Sequence, residues 1–486
     1  MMRSGRPTHR ASVASFALFA ALCPAASHAH GFAVRYDLPL PLGFFLAGAG
    51  ATVLLSFVLL AVLPRQGAAG DVFLSPEREL PTLSRVLSNN LVAEAIGWLG
   101  VGLFMLVIAA ALFGDTNPFK NISTTMVWLI WWVGMMFINT FIGDLWAVIN
   151  PWNTLFAAAE GLARKLKPGA RLSLDRPYPA RLEIWPAVIL FLVFAWIEII
   201  SGEGEDVRKL GAFIIAYSLI TWGGMWLFGR EIWLRHGEAF TVVFSMFARF
   251  APLARNTRFL VLRPPGAGLL VSEPVSWSTA AVVLVLLGTV TFDGFIATPT
   301  WSALYETYTG LAKARPALAG VFNFYVLATA VFLLFPVLFG GVFLACCRAT
   351  VALSGRLTAS ETARYFVLTL LPIAIAYHVA HYLVFFLLSG QYIVPALSDP
   401  FGYGWDLFGT ASYKPDVGLV GARFAWYTSV VAIVIGHVIA VQLAHRMAVH
   451  LFGDGRRMFA SELPLLALMV GYTMLSLWII AQPTVS

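Results

Sequence analysis

Between Tyr365 and Gly390 the chain reads YFVLTLLPIAIAYHVAHYLVFFLLSG, apolar for long enough to cross a bilayer yet carrying His378 and His381 near its middle. Such a run constrains the fold strongly, because every backbone N–H and C=O at membrane depth must find its partner inside the protein. By helix rise His378 lies about 20 Å from Tyr365, inside a hydrocarbon core about 30 Å thick. Residues three apart share a helix face, so the two imidazoles can converge. An ionisable side chain at that depth is costly and by default marks a functional site facing the bundle interior. Pro372, shortly before the pair, removes a backbone hydrogen bond and invites a kink. A second run, Arg423–His445, carries His437 at comparable depth.

The rest of the chain repeats the theme. Of its 486 residues 59% are hydrophobic and 12% charged, with mean hydropathy +0.79, which excludes an ordinary soluble domain. Apolar periodicity predicts an all-α polytopic bundle of ten spans, near 41–63, 91–113, 125–148, 186–201, 209–228, 278–297, 321–346, 365–389, 422–445 and 464–482. Met1–Ala29 reads as a signal peptide: Arg3, Arg6 and Arg10, then apolar Ala11–Leu22, then the small-x-small site Ser27-His28-Ala29. Residues 30–486 then form a single integral-membrane domain whose new N-terminus is His30.

The net charge of +7 does not point to nucleic acid, because the basic residues sit in short loops. Loop 150–185 holds Arg164, Lys165, Lys167, Arg171, Arg176 and Arg181, and loop 230–277 holds six arginines, Arg230, Arg235, Arg249, Arg255, Arg258 and Arg263. Ten spans put these on one side, the cytoplasm by the positive-inside rule, and both mature termini outside. Phe240–Phe250 is expected to lie along the anionic inner leaflet. Three cysteines, Cys23, Cys346 and Cys347, offer neither a disulfide framework nor a CxxC site.

His378, His381 and His437 can be read in two ways. They are a divalent transition-metal site, copper or zinc, inside the bundle, or helix-to-helix hydrogen bonders. Tyr377 and Tyr382 either donate to a ligand or pack. His445, beside Arg446, is expected at the interface. His30, freed by cleavage, offers its α-amine and imidazole to copper as a fourth ligand, or is merely tolerated cleavage-site sequence. Asp293, near the outer end of the sixth span, can join the histidines as ligand or general base. Asp144, Glu94 and Glu198 stand near span ends, where Asp144 is expected to cap or pair with a loop arginine. The loop Ser398–Thr410 is a lid over the histidines or an interfacial re-entrant loop anchored by Trp405. No Gly-x-Ser-x-Gly, P-loop or His-Glu-x-x-His is present.

The mature start HGFAVRYDLPLP (30–41), the loop SDPFGYGWDLFGT (398–410) and Gly436-His437-Val438 resemble bacterial membrane proteins of the fenitrothion hydrolase family, with similarity along most of the chain. The resemblance implies a bacterial inner-membrane enzyme that hydrolyses an aryl phosphotriester or thiophosphotriester, a small apolar substrate drawn from the lipid bilayer, and releases a nitrophenol. It transfers no site residues. On this reading a metal held by the three histidines activates a bound water and Asp293 is the base. A copper-handling transporter with His30 as outer receptor and a metal-dependent oxidoreductase stand as alternatives, and oligomeric state stays open.

Overall fold

The computed structural model describes residues 29–31, 34–36, 40–62, 77–87, 89–314, 323–453 and 456–482. The leader 1–28 lies outside the described residues, as does the His30 side chain, so neither the cleavage site nor the His30 copper reading meets any structural observation. The backbone of Ala29–Gly31 pairs antiparallel with Val34–Tyr36, His30 opposite Arg35.

Among the described residues ten helices form the bundle: α1 Leu42–Val62, α2 Asn90–Phe113, α3 Ile122–Phe141, α4 Trp185–Ser201, α5 Val207–Phe228, α6 Trp277–Ile296, α7 Phe324–Ser354, α8 Leu371–Ser389, α9 Ala422–Phe452 and α10 Arg456–Ala481. Among the described residues nine helical segments are long and apolar enough to cross a membrane; α4, the expected fourth span, is the one that falls short. Its two ends are nevertheless held at opposite ends of the bundle. Just before α4, Glu183 accepts from Ser278 Oγ (2.6 Å) at the start of α6. Just after it, the Gly204 carbonyl accepts from Trp128 Nε1 (3.0 Å) near the start of α3. Leu174 N donates to Trp226 O at the foot of α5, which places the loop before α4 beside the end of α5. The basic loops thus gather at one end and the acidic Glu203–Asp206 turn at the other.

Helix starts follow local chemistry. Asn89, Asp206, Ser276 and Asn323 each accept from a backbone N–H in the first turn of α2, α5, α6 and α7, satisfying donors that would otherwise be orphaned. Gly355, at φ 68°, closes α7 in the left-handed conformation that glycine alone adopts freely. Pro372 falls in the first turn of α8, after a 3₁₀ turn at Val367–Leu370. It therefore starts a helix rather than kinking one, and the missing N–H costs nothing there.

The expected surface helix at Phe240–Phe250 is instead an interior element. Ala239–Ala248 is apolar at every position except Thr241 and Ser245, and Phe240, Val243, Phe244 and Phe247 are buried. A helix apolar all round has no face to give to water, so it buries. Glu238 caps it, accepting from Phe240 N (2.9 Å), Thr241 N (2.7 Å) and Tyr217 Oη. The helix packs its rings on Trp131, Trp132 and Phe194.

Asp144 accepts from Ala147 N (3.1 Å), the capping role expected of it. His445 is buried between α9 and α10, with Nδ1 3.0 Å from Glu462 Oε2. The loop after α8 reaches the α2–α3 turn, where Asp115 N donates to Phe401 O (2.7 Å) and Tyr403 Oη to Phe113 O (2.6 Å). It latches that turn, with Gly402 and Gly404 at φ 72° and 86° allowing the tight path.

Candidate functional site

α8 crosses α9 very closely. A Cβ on Gly436 would lie 2.3 Å from Ala376 Cβ and 2.6 Å from the Pro372 carbonyl oxygen. α8 also packs on α6. This layering sets His378, His381 and Tyr382 of α8 against Asp293 of α6.

His381 Nε2 is 3.0 Å from Asp293 Oδ2, and Tyr382 Oη donates to the same oxygen. A carboxylate that accepts at Oδ2 fixes the proton on His381 Nε2, leaving Nδ1 as the nitrogen with a lone pair. The side chains of His381 and Asp293 keep 27% and 20% of their surface accessible, so a small molecule can reach the pair. Hydrogen bonds to an ionised partner are worth about 1.5–3 kcal/mol, which makes this pairing a firm one at membrane depth.

His378, 4% exposed, is turned inward. Its Nδ1 lies 3.1 Å from Ala374 O, and its ring packs between Trp132 (6.4 Å), Phe247 (5.6 Å) and Tyr382 (5.4 Å). His437, 1% exposed, stands by Tyr472 of α10 (5.8 Å between rings) with Nδ1 2.8 Å from Ile433 O. Its Nε2 is buried without a hydrogen-bond partner, as is Tyr377 Oη. Among the described residues no group of three or more His, Cys, Asp or Glu is placed to hold a metal ion. The three histidines are thus not gathered into one ligand set: His381 belongs to Asp293, while His378 and His437 each turn a nitrogen to their own helix.

Glu198 was not singled out by the sequence beyond its place near a span end. It stands in a π-helical turn, Ile197–Ser201, within electrostatic reach of Asp293 and Tyr382. Trp132, from the π-helical stretch Thr125–Gly134, lies close enough to interact with Glu198, yet its buried Nε1–H meets no acceptor at hydrogen-bonding geometry. Irregular turns of this kind aim side chains that regular helices would place elsewhere. A carboxylate inside an apolar run was the signal in the sequence; its closeness to Asp293 depends on how α4 leans on α6.

Chemically, the cluster offers a base (His381), a carboxylate that orients it (Asp293), a phenol fixed to that carboxylate (Tyr382) and a second carboxyl (Glu198). Compared with protein-family models, curated proteins and solved structures, the chain finds no match in any of the three.

Proposed function

We propose that this membrane protein is a hydrolase of small apolar aryl phosphotriesters or thiophosphotriesters, with the His381–Asp293 pair as its acid–base centre. The observation that carries the reading is His381 Nε2 on Asp293 Oδ2 at 3.0 Å, a dyad reachable at membrane depth. The substrate class follows the family resemblance, and apolar esters partition into bilayers. His381 Nδ1 takes a proton from water as the water oxygen bonds to phosphorus. The phosphorus–aryl oxygen bond breaks, and the nitrophenolate leaves without needing a general acid. Asp293 holds the imidazole in the required tautomer and stabilises its cation, the usual division of labour in such pairs.

Among the described residues no group of three His, Cys, Asp or Glu is placed to hold a metal, and no step is routed through one. The one-sided basic loops support a bacterial inner membrane with those loops cytoplasmic and both mature ends periplasmic. Glu198 within electrostatic reach of Asp293 favours a second reading, a proton-coupled carrier, since carboxyls inside a membrane bundle serve as proton relays.

The test is nitrophenol release by purified protein in lipid nanodiscs, with metal analysis on the same sample. His381→Ala and Asp293→Asn should each lose about 100-fold or more of the rate. Undiminished hydrolysis in both variants would refute the dyad. No hydrolysis by the wild type, with proton-driven uptake in vesicles, would favour the carrier.

A further inference from the structure

At the end of the bundle where the basic loops gather, a small antiparallel sheet joins Arg78–Glu79, Leu260–Leu262 and Leu253–Arg255, with Leu260–Leu262 in the middle. Each edge is tied to the end of a span. Leu253 N donates to Ile142 O (3.0 Å) just past α3, and a Cβ on Gly143 would lie 3.2 Å from Leu253 Cβ. At the other edge the short helix Pro81–Leu87 follows Arg78–Glu79 and leads into α2 at Asn90. Its Ser84 Oγ accepts from Leu260 N (2.6 Å). The sheet therefore lies between the ends of α2 and α3.

Its two faces differ in chemistry. Residues directly opposite on neighbouring strands share a face, and so do residues two apart along a strand. Arg78, Leu262 and Leu253 are paired across the sheet, as are Leu260 and Arg255, which puts two arginines and three leucines on one face. Glu79, Val261 and Ala254 take the other. Val261 is 1% exposed, so this second face is the one turned to the protein. Alternation also places Glu77 and Arg263 there, and the two are within electrostatic reach of each other. On the first face Arg78 and Arg255 are exposed, and Leu262 keeps 45% of its surface accessible. The same mixture continues at both edges. Helix Pro81–Leu87 exposes Leu83 and Val86, three apart and so on one side of it, with Arg85 beside them. Arg258 is exposed in the turn after Arg255, and Leu91, Phe141 and Ile142 are exposed at the span ends.

We propose that this arginine–leucine face docks on the anionic lipid headgroups of the leaflet at that end of the bundle. The leucines would enter the headgroup layer, continuing the apolar surface of Phe141, Ile142 and Leu91, while the guanidiniums pair with lipid phosphates. Charge complementarity selects this occupant: Arg78, Arg85, Arg255 and Arg258 are exposed, and the carboxylates of Glu77 and Glu79 belong to the opposite face. A soluble polyanion would use the arginines and leave the leucines in water. The leaflet contact expected of Phe240–Phe250, which the structure buries, falls to this sheet instead. The proposal does not depend on the hydrolase reading.

The test is hydrogen–deuterium exchange of the full chain in nanodiscs, read by mass spectrometry over 78–87 and 253–262. Nanodiscs of phosphatidylcholine are compared with nanodiscs that also hold phosphatidylglycerol. Both leaflets carry the same lipid, so the result does not depend on which end of the bundle is cytoplasmic. Phosphatidylglycerol should slow exchange in both segments about tenfold or more, because docking suppresses local opening. Salt near about 1 M should undo the slowing. The double variant Arg78→Gln, Arg255→Gln should lose most of it, at about fivefold per arginine removed, with exchange in phosphatidylcholine unchanged. If that variant exchanges fast in both lipids, the sheet has not formed and the wild-type comparison alone decides. Equal wild-type exchange in the two lipids would overturn the proposal, as would slowing that survives in the folded double variant. So would protection that follows the number of chains per nanodisc, since a second copy would then cover the face.

Discussion

Substituting Gly436 by alanine tests the helix crossing on which the site depends. The new methyl would sit 2.3 Å from Ala376 Cβ and 2.6 Å from the Pro372 carbonyl oxygen, where ordinary contact begins near 3.4 Å. Neither obstacle is the far end of a flexible side chain, so α9 must retreat from α8 by about 1 Å. Overpacking of this kind costs about 1–3 kcal/mol, and the carbonyl clash places Gly436→Ala towards the upper end. Unfolding by sodium dodecyl sulfate from mixed micelles would measure it. Adding Ala376→Gly removes the methyl–methyl clash and leaves the carbonyl, so the double variant should recover about half of the loss, a clear departure from additivity. α8 carries His381 and Tyr382, so hydrolysis should fall alongside stability. If Gly436→Ala unfolds at the wild-type midpoint, or if the two changes simply add, the close crossing is not what holds α8 in place.

Tyr382→Phe should keep the fold and lower hydrolysis about tenfold, since it removes one of the two donors on Asp293 Oδ2; a steady-state assay with unchanged thermal unfolding checks this. His437→Ala should leave most of the nitrophenol release intact while His381→Ala abolishes it, because His437 stands apart at Tyr472; equal losses would restore a three-histidine unit. Glu238→Ala should lower stability by about 2–3 kcal/mol in the same unfolding assay, through the loss of a helix cap and a buried acceptor. Chelator treatment should not reduce hydrolysis, and activity that disappears with chelation and returns with zinc or copper would contradict a metal-free dyad.

The spans were legible in the sequence because bilayer thickness sets the length of an apolar run, and that is a one-dimensional property. The helix Ala239–Ala248 was misplaced at the leaflet because a loop context suggested a surface, although a helix with only Thr241 and Ser245 to offer water is an interior one. His378 and His381 were correctly placed on one helix at one depth. What spacing could not say is that the second pairs with Asp293 while the first turns towards Trp132 and Phe247. Three positions along α8 amount to a rotation of about 300°, and the remaining 60° decides which neighbouring helix each imidazole meets. Glu198 was visible as a residue and invisible as a partner, since its closeness to Asp293 arises from the lean of α4.

The two π-helical stretches make the surroundings of Glu198 sensitive to a change in length rather than in chemistry. Along a helix one residue corresponds to about 100° of turn. Removing a single residue before Trp131, within Thr125–Gly134, would let the stretch relax to a regular helix while keeping every side chain that matters. It would also rotate the indoles past their posts, so that Trp132, now close enough to interact with Glu198, no longer meets it. Deletion scanning through this stretch should therefore break the protein even at positions where a conservative substitution leaves it tolerant.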